Sequence, residues 1–238
     1  MNYTYNELNL HIRKLQKRAV LSLSAILLTL ISIGFAILCI PSFAAVIFSV
    51  IAISCVVCLL YIGRIEKNEG KNCKPIIFVA DDRFSFEKTV TVFEELTAED
   101  NRLSVSKDLL FFKINSIFRL RTILYRTVNF DKNDFNKAKA TINNKANKKF
   151  NISPRVSRFD AKNMMRFNII YADVLNDALS QLVSQNANHN LTRVEGIINI
   201  VITGNQIIIP PLYGDCDLIE ISRYKNTVKF IKQFLLNK

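Results

Sequence analysis

Clustered carboxylates are the first residues to test for chemistry, because they can hold a divalent metal for phosphodiester hydrolysis. The suggestive acids are Asp81-Asp82, Glu195, Asp215 and Asp217. Side chains alternate along an extended segment, so Asp215 and Asp217 would share one side of a strand. No Lys follows at a spacing suited to a metal-dependent nuclease. A solvated turn after Gly214 accounts for the pair more simply, and no metal site is assigned.

The other reactive residue types are sparse. His11 and His189 are the only histidines, and neither belongs to a His/Cys or His/carboxylate cluster of the kind that binds zinc. No Gly-x-Ser-x-Gly elbow occurs. Six Gly leave little material for a phosphate-cradling loop. Cys39, Cys55 and Cys58 lie in an apolar region, where Cys acts as a small hydrophobe. Cys55-x-x-Cys58 has redox spacing but lacks the strand-helix context of a redox motif. Cys73 and Cys216 suggest no disulfide framework. No catalytic residue and no cofactor is assigned, and a non-enzymatic role is favoured.

Basic residues are the richer class. The formal net charge is +12. Arg13, Lys14, Lys17 and Arg18 outweigh Glu7 before the apolar region, and the rest of the excess follows Gly63. Such an excess attracts phospholipid or nucleic acid without choosing between them. Arg119 and Arg121 fall on one side of a predicted strand together with Tyr125, while Arg126 falls on the other. With Phe118 nearby, this pattern has the ingredients of a nucleic-acid surface; a strand with one solvated face is the simpler account. The candidates for contact with an anion or a membrane surface are Arg13, Lys14, Lys17, Arg18, Arg64, Arg119, Arg121, Lys145, Lys148 and Lys149. A last candidate is Ile207-Ile208-Ile209-Pro210-Pro211-Leu212-Tyr213-Gly214, read either as a rigid exposed lip or as a strand terminator.

These residues need elements to position them. No charged residue occurs from Ala19 to Gly63. A helix needs about 20 apolar residues to cross the hydrocarbon layer. Ala19 to Ile40 and Phe43 to Gly63 each supply such a stretch, and Pro41-Ser42 marks a turn between them. A cleaved signal peptide fits less well, since a second apolar run follows at once. Basic residues flank both stretches (Arg64, Lys67, Lys71 and Lys74 on the far side) and the turn has none. The positive-inside rule therefore places both termini in the cytoplasm. Residues 1–18 read as an amphipathic cytoplasmic helix, with Thr4 and Glu7 as a capping box. Leu8, Ile12 and Leu15 form its apolar stripe. The helix either lies on the membrane surface or runs on into the first span.

Residues 64–74 read as a linker and 75–238 as one basic cytoplasmic domain. Strands are predicted at Ile76–Ala80, Thr89–Phe93, Leu109–Ile114, Phe118–Phe130, Phe167–Tyr171, Ile197–Ile202, Gln206–Ile209 and Leu218–Ile221. One helix should start at Asp131 or Asp134, run through Phe135, Ala138, Ile142 and Ala146, and stop before Pro154. A second should start at Asp173 and carry the stripe Val174, Leu175, Ala178, Leu179, Leu182 and Val183. A third should start near Ser222, with Tyr224, Val228, Ile231, Phe234 and Leu235 on one face. The fold class is α+β behind a two-helix transmembrane hairpin.

The function expected is a membrane-tethered binding, scaffold or sensor domain. Its partners would be the bilayer and either another protein or a second copy. The alternative is a membrane-anchored effector or enzyme acting on nucleic acid or a phosphorylated ligand. Transport is disfavoured, because the two spans hold no ionisable residue.

Overall fold

The computed structural model describes residues 5–40, 42–70, 74–115, 119–151, 164–185, 187, 196–214 and 216–236. The chain divides into two units. One holds Tyr5–Cys73 with Tyr213–Ile221, and the other holds Lys74–Leu212 with Ser222–Lys238 and the first four residues.

The first unit is built on two helices, α1 (Tyr5–Leu38) and α2 (Phe43–Gly70). Both are long and apolar enough to cross a membrane. Hydroxyls within them bond back to their own helix: Thr29 donates to the Ala25 carbonyl at 2.8 Å, as do Ser49 to Ala45 and Ser54 to Val50. The break comes after Leu38, where the Ser42 amide bonds the Cys39 carbonyl; Pro41 itself lies outside the described residues. Because α1 is unbroken, the amphipathic segment runs on into the apolar stretch, and Leu8, Ile12 and Leu15 are buried. Thr4 of the capping box lies outside the described residues. At the other end, α2 is still helical through residues 64–70, the first part of the expected linker.

On the α1 side the seam between these helices is made of small residues, and on the α2 side small residues alternate with Phe48, Leu59 and Ile62. Ser22, Ala25, Thr29, Ser32 and Ala36 are the protected positions of α1 beyond Val20, spaced alternately by three and four, and Cys39 just past its end continues the series. Ala45, Phe48, Ala52, Cys55, Leu59 and Ile62 repeat that spacing along α2. This is the period of two helices packed along one stripe. Ser32 and Ala52 are buried, and Phe35 stacks on Phe48 at 5.2 Å. Most bulky residues point outward: Leu30 is 63% exposed and Ile53 64%.

The second unit is a seven-stranded mixed sheet with helices on both faces. Its strands are β1 (Ile76–Val79), β2 (Arg102–Ser106), β3 (Leu109–Asn115), β4 (Arg119–Thr127), β5 (Met164–Ala172), β6 (Gly196–Thr203) and β7 (Gln206–Ile209). Their order is β1-β7-β6-β5-β4-β3-β2. The central strands β4, β5 and β6 are parallel and the outer pairings are antiparallel. Each parallel step crosses over through a helix, as parallel strands require. These helices are α4 (Lys132–Lys149) between β4 and β5, and α5 (Asp177–Ser184) between β5 and β6. Apolar runs such as Phe167 to Tyr171 and Ile197 to Ile202 suit strands covered on both sides.

Helix α3 (Phe86–Glu95) precedes β2, and α6 (Leu218–Phe230) follows β7, ending in a wider π turn over Ile231–Leu235. α3 and the end of α6 cover one face of the sheet. Phe93 lies 5.7 Å from both Phe112 and Phe230, and Phe167 lies 5.1 Å from Phe230. α4 and α5 cover the opposite face. There Ile142 and Ala146 pack with Leu109, Phe111 and Ile123, while Leu179 and Val183 pack with Ile170, Val201 and Ile208.

Hydrogen-bonding caps set several helix starts. Asp131 accepts from the amides of Asn133 (2.8 Å) and Asp134 (2.9 Å) and begins α4. That helix stops at Asn151, whose φ of 51° is the left-handed conformation Asn tolerates; Pro154 lies outside the described residues. Between β6 and β7 only Gly204 has positive φ, 57°, among the two turn residues. This matches a II′ hairpin turn with Gly first.

Four expectations need correction. Thr89–Phe93 is helix, because Ser85 caps it (accepting from the Lys88 amide at 3.0 Å) and Phe86, Thr89 and Phe93 are buried at helical spacing. The β-branched character of Thr89, Val90, Thr91 and Val92 is outweighed. Leu218–Ile221 is likewise helix, for the capping reason given below. The helix expected from Asp173 begins at Asp177, since Asn176 accepts from the Leu179 amide at 3.0 Å and is its cap. Val174 and Leu175 precede it and are exposed, at 64% and 41%. Finally, β2 was not anticipated. It is an edge strand with alternating exposure and a bulge between Ser104 and Ser106.

Candidate anion-binding surface

The strands carry Arg102, Lys113, Arg119, Arg121, Arg126 and Arg166, and no Asp or Glu at all. The sheet divides these cations by parity. Arg102 and Arg126 point to the α3 face. Arg126 bonds Glu87 at 2.9 Å and lies 5.7 Å over the Phe86 ring. Arg102 pairs with Glu94 and lies 6.0 Å over Phe112. Both acids come from α3, so these two cations are absorbed by structure.

The α4 face carries a second set. Register places Lys113 opposite Arg121, and Arg121 opposite Arg166, in one row across β3, β4 and β5. All three are half-buried. Adjacent strands are about 4.8 Å apart, so three cations stand at that pitch. One row further along, Asn168 donates to Asn199 at 2.8 Å, and both are buried. The face therefore grades from apolar near α5, through an amide pair, to cationic at the N-terminal ends of the parallel strands.

The end of α4 comes down beside this row. Phe150 stacks on Phe111 at 5.7 Å, and Lys113 lies 5.6 Å over the Phe150 ring. Lys149 donates to the Arg102 carbonyl at 2.7 Å. Lys145, Lys148 and Lys149 are exposed on the last turns of α4, where positive charge suits the negative helix end. The only acid within α4 is Asp134, which pairs with Lys137 at 3.7 Å.

The candidates from the sequence thus fall in two sets. Arg13, Lys14, Lys17 and Arg18 lie on α1 and Arg64 on α2, at the same end of the antiparallel hairpin. Arg119, Arg121, Lys145, Lys148 and Lys149 belong to the sheet unit. Within that unit β4 places Arg119 and Arg121 on one parity and Arg126 on the other. Sequence reasoning missed Lys113 and Arg166. Their signal was a lone cation in a mainly apolar strand with no other charge, and only the register brings them beside Arg121.

The acids have other work. Asp217 accepts from the amides of Ile219 and Glu220 at 2.8 Å, and Glu220 accepts from the Asp217 amide at 2.9 Å. That reciprocal pair is a capping box, and it makes Leu218–Ile221 the first turn of α6. Asp215 and Glu195, like His189, lie outside the described residues. Among the described residues no group of three or more His, Cys, Asp or Glu is placed to hold a metal. The lip reading of residues 207–214 does not hold over most of their length: residues 207–212 are buried, and Tyr213 and Gly214 are half-buried. Carbonyls within the segment are engaged as well, that of Pro210 by the Tyr224 hydroxyl and that of Pro211 by the Ala187 amide, both at 2.8 Å.

No protein-family model matches the chain, and no match is found among curated proteins or among solved structures.

Proposed function

We propose that the chain is a membrane-tethered binding domain, with α1 and α2 as a transmembrane hairpin and the sheet unit in the cytoplasm. The observation that carries this reading is the inverted packing of the hairpin. In water, large apolar residues would fill the seam and small polar ones would face out. Here Ser, Ala and Thr fill much of the seam while Leu, Ile and Val face out. Lipid tails are as apolar as Leu, so helices there gain by close approach along small residues. The internal bonding of Thr29, Ser49 and Ser54 suits a medium without water. Basic residues at one end of the hairpin and their absence at the turn support cytoplasmic termini.

Alkaline extraction of membranes tests the anchor, and the chain should remain in the pellet. Single-cysteine labelling at residues 42 and 238 tests orientation. The first position should react from outside an intact cell and the second only after permeabilisation. Release by alkali, or external labelling at 238, refutes the corresponding part.

A second reading is a membrane-anchored effector acting on nucleic acid or a phosphorylated ligand. The purely cationic charge of the strands favours a ligand with anionic groups.

A further inference from the structure

We propose that the outward face of α4 is a docking surface for the anionic headgroups of the cytoplasmic leaflet. The proposal deepens the membrane-tethered reading and rests on it for the nearness of a bilayer.

α4 carries six Lys and one Asp in 18 residues. Its buried residues are Phe135, Ile142 and Ala146, which makes the opposite side the outer one. Lys137, Thr141, Asn144, Lys145 and Lys148 lie there at i, i+4, i+7, i+8 and i+11, a single stripe along the helix, and all five are exposed. Lys137 has Asp134 at 3.7 Å, an exposed pair of the kind that water and salt weaken. Lys149 is turned aside, with its ammonium on the Arg102 carbonyl. The exposed acids Glu99 and Asp100 belong to the turn before the edge strand β2, outside the stripe. With no large apolar side chain, the stripe suits lying on a headgroup layer rather than inserting below it.

Magnitudes choose the occupant. Each Lys close to an anionic leaflet contributes on the order of fivefold, so three contribute on the order of 100-fold. Nucleic acid would gain from the same charges but must be captured from solution, where sequence-independent contacts hold only at about 10⁻⁴–10⁻⁶ M. A bilayer that holds the hairpin is already at hand. Only residues 71–75 separate α2 from β1. An extended chain of that length reaches at most about 20 Å. Short tethers of this kind give effective concentrations on the order of millimolar. The point of entry agrees. β1 runs the same way as β4, β5 and β6, so the chain comes into the sheet from the side of their starts. α4 ends on that side, where Phe150 stacks on Phe111 and Lys113 lies over its ring. Lys145 and Lys148 therefore stand at the end of the sheet unit by which it is tethered.

The test uses the full-length chain in nanodiscs of phosphatidylcholine, and in discs of equal parts phosphatidylcholine and phosphatidylglycerol. Acylation rates of single lysines are read by mass spectrometry. Lys145 and Lys148 should react at least about threefold more slowly in the anionic discs. Lys88 and Lys229 are the controls, exposed on the helices that cover the opposite face, and should keep their rates. About 1 M salt, which cuts the screening length to about 3 Å, should restore the stripe. Lys145→Glu/Lys148→Glu should return Lys137 to its rate in phosphatidylcholine, while Lys145→Arg/Lys148→Arg should keep it slowed. Lys88→Glu/Lys229→Glu makes the same change of net charge on the opposite face and should leave the stripe slowed. Equal rates in the two discs, or control lysines slowed as much as the stripe, overturns the proposal. Duplex DNA that slows the stripe where anionic discs do not overturns it in favour of nucleic acid. Flotation of the discs is scored first: a chain left behind refutes the anchor, and the same footprint on free vesicles of the two compositions then judges the stripe alone.

Discussion

On the α3 side of the sheet, Arg102 meets Glu94 and Arg126 meets Glu87. On the α4 side, Lys113, Arg121 and Arg166 share a row, and the covering helix supplies lysines and a single acid. The same strands present both sets, since alternation sends neighbouring residues to opposite faces. The difference therefore lies in the helices laid over each face. A face whose cations are matched by its helix is complete as architecture.

The strongest way to probe this contrast is through the aromatic core of the α3 face. Phe93 is fully buried between Phe112 and Phe230. Phe93→Ala should cost about 3–5 kcal/mol by denaturant unfolding, the usual penalty for a large core cavity. A loss well below that range would show that the α3 face is looser than its packing implies.

A smaller effect is expected at Gly196. A Cβ there would meet Arg223 Cδ at 2.8 Å, and Arg223 is buried. Gly196→Ala should destabilise by about 1–3 kcal/mol, as overpacking does. A neutral outcome would mean that the Arg223 side chain shifts freely. At the start of α6, Asp217→Ala should cost about 1 kcal/mol by removing a helix cap. Were Asp217 a metal ligand instead, divalent cations would raise the melting temperature of wild type and not of the variant; no such difference is expected.

The smallest effects sharpen the contrast most, because their signs are opposite. Glu94→Gln removes a partly exposed partner on the α3 face and should lower stability by at most about 1 kcal/mol. Lys113→Gln removes one of the repelling cations and should raise stability by a few tenths of a kcal/mol at low ionic strength. Salt should shrink both differences, since exposed charges are screened. Two changes of the same sign would erase the distinction between the faces.

Part of this was legible in the residues. Asp131 as the cap of α4, and the positions of Phe135, Ile142 and Ala146 along it, follow from local chemistry that tertiary structure had no reason to override. Gly204 between two apolar strands announced its hairpin for the same reason. Thr89–Phe93 and Leu218–Ile221 were misread because β-branched and apolar residues suit either element in a short run. The decisive signals there were the caps, Ser85 and the Asp217–Glu220 pair. β2 was missed because an edge strand buries little and carries only a weak apolar alternation.

By itself the sequence determined the two long apolar helices, their basic flanks and the mixed content of the second unit. These depend on local composition, helix period and turn residues, which act over a few neighbours. Only the tertiary structure decided which cations stand together. Arg121 could be placed on one side of its strand from parity alone. Its neighbours Lys113 and Arg166 are distant in sequence, and hydrogen-bonded register, parallel on one side and antiparallel on the other, brings all three into one row.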